Sequence, residues 1–160
     1  MPTETDLTFR QTAIHRFVDA ARAGTLARVI GRVRSGWTVL GDPQILSGYC
    51  LLYPDPVVAD LHLLAQPARQ QFLDDMAELG EAVVKATGAR RINYEMLGNV
   101  EPALHAHVIP RYADEPLETR LQPIWQHDWK RAPAYCRDRD ADIQRAIRLE
   151  LKMLGALVSP

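Results

Sequence analysis

The sequence predicts an α+β fold, an antiparallel sheet of about five strands carrying a crossing helix, with N- and C-terminal helices. Three observations lead there. Five short runs rich in β-branched, aromatic and aliphatic residues, RVIGRV, WTVL, YCLLYP, RINYEML and LHAHVIPR, read as strands. The first three are consecutive and joined by turn-like connections, as are the last two. One long amphipathic stretch separates the two groups, so strand and helix do not alternate as a doubly wound parallel sheet requires.

Each element follows in order. FRQTAIHRFVDAARAG places Ala13, Phe17, Ala20 and Ala21 about one helical turn apart, with Gly24 positioned to stop the helix. The runs at 28–33, 37–40 and 49–54 are separated by Ser35–Gly36 and by GDPQILSG, and Pro54 and Pro56 end the third because proline has no N–H for a ladder. QPARQQFLDDMAELGEAVVKATG has Pro67 in its first turn, Phe72, Met76, Leu79 and Val83 on one stripe, and Gly88 beyond its end. The runs at 91–97 and 104–111, joined by the linker from Gly98 to Ala103, are expected to form a hairpin. PIWQHDWKRAP is a proline-punctuated loop, and after it Ile143, Ile147, Leu151 and Leu154 recur at helical spacing. A single domain over 1–160 is expected, with its core about 28–112 and a C-terminal loop and helix over 113–160.

Composition narrows the function classes. The chain is 47% hydrophobic and 24% charged, with a net charge of -1, so it carries no global basic field to recruit nucleic acid or an anionic membrane. Any anionic ligand must be held locally. MPTETDLTFR lacks the charged start and apolar stretch of a secretory signal, and no apolar run approaches the roughly 18 residues of a membrane span. Cytoplasmic residence, with Cys50 and Cys136 as reduced thiols, is the expectation.

The chemistry-bearing feature is ALHAHVIPRY, residues 103–112. On a strand, residues two apart share a face, so His105, His107 and Ile109 point one way and Leu104, Ala106 and Val108 the other. The residues alone leave three readings. The pair could be polar residues on an outer sheet face. It could be half of a zinc site, although His15, His62, His127, Cys50 and Cys136 show no supporting ligand spacing. Or one imidazole could attack phosphorus while the other helps to bind the phosphate, since neutral imidazole is abundant at physiological pH.

YEMLGNVEPALHAHVIPRY resembles the signature of the histidine-triad (HIT) family, a strand reading His-φ-His-φ-His-φ-φ with φ apolar, often followed by Pro-Arg. His105 falls on the middle histidine, His107 on the third, and Ala103 stands where the first would be. The preceding order of elements, from the strands around GDPQILSG to the long helix, is similar as well, so the resemblance spans roughly residues 28–112. It implies a nucleotide hydrolase or nucleotidyl transferase acting on a nucleoside phosphate, such as a dinucleoside polyphosphate or a nucleoside phosphoramidate. His105 would be the nucleophile toward the α-phosphate and His107 a group set against the phosphates. The main-chain carbonyl at the first-histidine position would orient His105, and Ala103 retains it. What alanine removes is a side-chain donor, a loss that can cost on the order of a hundredfold in rate. A nucleotide-binding or regulatory role with little turnover is the alternative.

Other candidates have two readings each. Gly98 and Asn99 could meet phosphate oxygens or merely form a turn; Asp42 is near the family's ribose-binding position but is equally good turn chemistry, with Gly41 aligning as well. Arg111 could reach phosphate or pair with a carboxylate. Trp125 and Trp129 could cover a nucleotide or anchor the tail. His15 and His127 are expected in solvent, His62 at the surface or as a cap, and Cys50 as a small buried hydrophobe. No protein cofactor or metal is implied, although a divalent ion could arrive with the substrate's phosphates, and relatives often pair two sheets into a homodimer.

Overall fold

A computed structural model of the chain describes residues 12–159. Its strands are β1 (Val29–Val33), β2 (Gly36–Leu40), β3 (Cys50–Pro54), β4 (Arg91–Glu95) and β5 (Ala106–Arg111). All pair antiparallel in the order β1-β2-β3-β5-β4, so the predicted fold class and strand number hold. The helices are α1 (Ala13–Arg22), α2 (Gln66–Thr87), the single turn α3 (Leu117–Arg120) and α4 (Arg137–Met153). No helix among the described residues is long and apolar enough to cross a membrane.

The period-2 pattern sorts side chains between two cores. Ile30, Cys50, Leu52, Ala106 and Val108 meet Phe72, Leu79 and Val83 of α2 and Ile147 and Leu151 of α4. Pro67 starts α2, and Gly88, at φ +71°, ends it in the left-handed conformation that favours glycine. On the opposite face Trp37, Val39, Leu51, Tyr53 and Ile109 are covered by α1 and by Ile124. Both faces are therefore buried. Each fully buried large aliphatic or aromatic side chain contributes about 1.5–3 kcal/mol of transfer free energy.

Two expectations shift. The buried stripe of α1 is Ile14, Val18 and Ala21, one position round from Ala13, Phe17 and Ala20, with the branched Ile14 and Val18 packed in the core and Phe17 turned to the edge of the cleft described below. Thr12 caps this helix through its hydroxyl, while the predicted start at 9–11 lies outside the described residues. The hairpin of β4 and β5 forms, from Arg91 opposite Arg111 to Glu95 opposite His107, but its connection runs over 96–105 rather than 98–103. Leu104 cannot continue the ladder because its N–H donates to the Val58 carbonyl (2.8 Å).

Candidate functional site

His105 sits one residue before β5, and its ring is fixed by the chain beside it. Nδ1 lies 2.7 Å from the carbonyl oxygen of Ala103. A carbonyl can only accept, so Nδ1 carries the proton and the Nε2 lone pair is the one left for chemistry. Ala103 is held in turn by Glu101, whose carboxylate accepts the N–H of Ala103 (3.2 Å) and that of Ala13 at the start of α1 (3.0 Å). One carboxylate thus ties the helix over the sheet to the residue that orients His105.

His107 lies on β5 with its ring 4.7 Å from that of His105, edge to face. Both histidines are only 6% exposed, which removes the outer-face reading. The Nδ1 of His107 is 2.6 Å from the Tyr49 hydroxyl. Burial, and secondarily the neighbouring His105, pushes the His107 pKa down to about 4, while burial raises that of Tyr49, so both are neutral near pH 7. If His107 donated to Tyr49, the buried phenolic hydrogen would have no acceptor among the described residues. Tyr49 therefore donates, and the His107 proton resides on Nε2. The resemblance placed His107 against developing charge; the structure makes it a neutral donor rather than a cation.

Tyr49 is itself built in. A Cβ at residue 41 would lie 2.1 Å from its ring, so only Gly41 permits this approach. The Gln44 side chain knits the loop by donating to the Gly41 and Tyr49 carbonyls (2.8 Å each) and accepting from the Gly48 N–H (3.0 Å).

The histidines open onto a cleft of about 540 Å³ lined by α1 (Ala13, Ile14, Phe17), the sheet (Tyr49, Leu51, Tyr53), Arg28, Asp42, Glu101, Trp125 and Tyr135. Trp125 stands edge-on to His107 (centroids 5.0 Å) and stacks on Trp129 (5.0 Å), which meets Tyr49 edge-on (6.0 Å). Trp129 takes the anchoring role, packing against the core beneath α1 and donating to the Ile124 carbonyl, while Trp125 walls the cleft. A smaller cleft of about 280 Å³ on the other side of His105 is lined by Ala103, Met96, Leu97 and Gly98.

Of the sequence candidates, His105, His107 and Asp42 come together in one cleft, with Asp42 also accepting the Tyr135 N–H (2.9 Å). Gly98 lines the smaller cleft, and Asn99 is exposed in the β4–β5 connection. Arg111 is not brought to the histidines. Its guanidinium pairs with Glu115 (2.9 Å) and donates to Asn93 and to the carbonyls of Thr119, Arg120 and Gln122, along a separate cleft of about 780 Å³. That is the carboxylate alternative, and it leaves the fork no free face for a phosphate. His62 is at the surface beside Asp60, but His15 and His127 are half-buried and hydrogen-bonded, to Thr12 and the Thr119 carbonyl, rather than in solvent. Among the described residues, no three His, Cys, Asp or Glu side chains gather as metal ligands. Sequence reasoning missed Tyr49, Glu101 and Arg28, each of which has a partner distant in the chain: His107, Ala13 and Tyr53.

No protein-family model matches this sequence, and no curated protein matches it. Solved structures do. A histidine triad protein from Marinobacter aquaeolei VT8 is similar at TM-score 0.68 and 23% identity, covering 80% of this chain and 92% of its own. A histidine triad (HIT) protein from Sinorhizobium meliloti 1021 gives 0.66 and 23%, covering 77% and 88%. A hypothetical histidine triad nucleotide-binding protein from Sulfolobus tokodaii strain7 gives 0.67 and 14%, covering 88% and 93%. At such identities the likeness is one of fold: the chain has the fold of HIT proteins.

Proposed function

From that shared fold, we propose that the chain is a nucleotide hydrolase or nucleotidyl transferase that works through a covalent nucleotidyl-His105 intermediate. The observation that carries this is the bond from His105 Nδ1 to the Ala103 carbonyl, which in the neutral ring leaves the lone pair on Nε2, beside a cleft of nucleotide size. His105 Nε2 forms a bond to the α-phosphorus, and the leaving group departs with the electron pair of its own bond to phosphorus. Water or another acceptor then displaces Nε2. His107 donates its Nε2–H to a phosphate oxygen, and Asp42 takes the ribose hydroxyls. Dinucleoside polyphosphates and nucleoside phosphoramidates are the proposed substrates, with any divalent ion carried by their phosphates. A cytoplasmic setting and a homodimer complete this reading.

The test is to incubate the protein with those substrates, quench in alkali to preserve phosphohistidine, and seek a nucleotidyl adduct by mass spectrometry. The adduct is expected on wild type and absent from His105→Asn; an adduct that survives in the variant removes the assignment.

One observation supports a second reading, a binding or regulatory protein with little turnover. Where the family signature has its first histidine, this chain presents a buried methyl, Ala103, at the smaller cleft. Nucleotide binding without adduct or turnover establishes that reading, and Ala103→His should then raise the rate if the missing donor is the cause.

A further inference from the structure

The same cleft contains a cation for which the proposed chemistry has no use. Arg28 is 7% exposed, and its guanidinium cannot lose its charge. Nη1 donates to the Leu40 carbonyl (2.7 Å) and Nη2 to the Tyr53 hydroxyl (3.3 Å), while the plane lies over the Phe17 ring at 4.7 Å. No carboxylate among the described residues pairs with it. The two acids lining the cleft are engaged elsewhere, Asp42 with the Tyr135 N–H and Glu101 with two N–H groups. A buried charge without a counter-charge is unfavourable unless something else meets it, and buried arginines are nearly always paired. Two of five N–H donors are used, and the other three have no partner among the described residues.

The position of Arg28 says what could meet them. It precedes β1, three strands from His107 on β5, a separation of roughly 14 Å at the usual strand spacing, and its side chain reaches back to Tyr53 on β3. Its Leu40 partner lies two residues before Asp42. With phosphate at the histidines and ribose at Asp42, the base lies at the Arg28 end, against Phe17.

We infer that Arg28 reads the base, and that the cleft prefers a 6-oxopurine nucleotide, guanine or hypoxanthine, to an adenine nucleotide. This rests on the nucleotide reading above. A 6-oxopurine presents O6 and N7 as adjacent acceptors that match the guanidinium fork, whereas adenine sets an amino donor against the cation.

Calorimetric titration of the intact protein with GMP, IMP and AMP tests it. GMP and IMP are expected to bind similarly and about tenfold or more tighter than AMP. Arg28→Met should abolish that preference, and Arg28→Lys, which keeps the charge without the fork, should reduce it and carries the test if the methionine variant does not fold. AMP binding as tightly as GMP, a preference that persists in Arg28→Met, or one undiminished in Arg28→Lys, overturns the inference and leaves the nucleotide reading standing. IMP binding no tighter than AMP while GMP binds tighter means that the 2-amino group rather than the O6 and N7 pair is read, and also overturns it. Failure of all three to bind, with no adduct from the substrate panel, removes the nucleotide reading itself.

Discussion

Two hydrogen bonds divide the labour of two identical side chains. The Ala103 carbonyl makes His105 a base at Nε2, and the Tyr49 hydroxyl makes His107 a donor at Nε2. Tyr49→Phe is expected to release the His107 tautomer, visible as a change in its ¹⁵N shifts, and to lower turnover roughly tenfold, the worth of one net hydrogen bond. An unchanged tautomer would remove Tyr49 from this role. His107 also shapes stability. Its pKa falls from 6.5 unfolded to about 4 folded, so the unfolded chain binds more protons between those values. Stability is therefore full above pH 6.5 and declines as pH falls toward 4, by about 3 kcal/mol at most. Urea midpoints between pH 4 and 7 should show this slope, and His107→Gln should flatten it. The His pair and its shared face were legible because strand periodicity relates neighbours. Tyr49 was not: it lies 58 positions away, and only strand order brings it to His107.

The elements were legible wherever punctuation and period agreed. Pro67, Gly88 and the Phe72–Leu79–Val83 stripe delimit and orient α2, and the structure keeps all three. In α1 two apolar stripes of equal spacing compete, and period alone cannot choose between them; the sheet selects Ile14 and Val18 and leaves Phe17 to wall the cleft. The β4–β5 connection lengthens because Val58, far back in the chain, claims the Leu104 amide. Structural and chemical roles separate at this scale. Leu79→Ala, which opens a cavity beneath α2, should cost about 2–5 kcal/mol in denaturant titration while the folded variant retains wild-type adduct yield. A lost adduct in folded protein would show that the two faces are not independent.

The whole molecule is a sheet with one face given to packing by α2 and α4 and the other shared between packing and a cleft. That the order of elements could be read from the chain reflects local rules: turn residues, amphipathic stripes and short connections. The cleft's chemistry instead depends on partners far apart in sequence, such as Arg28 with Tyr53 and Glu101 with Ala13. A ligand there should quench the emission of Trp125 and Trp129, which meet His107 and Tyr49; a nucleotide that binds with unchanged emission would put its site elsewhere.

Glu101 has a thermodynamic consequence. Since one carboxylate holds both the amide that begins α1 and the amide of Ala103, whatever bias a ligand in the cleft places on the orientation of His105, that orientation must return to ligand affinity by the same factor. Nucleotide should slow hydrogen exchange at Ala13 and Ala103 together, and Glu101→Ala should uncouple them, so that a bound base no longer reports on whether His105 is aimed.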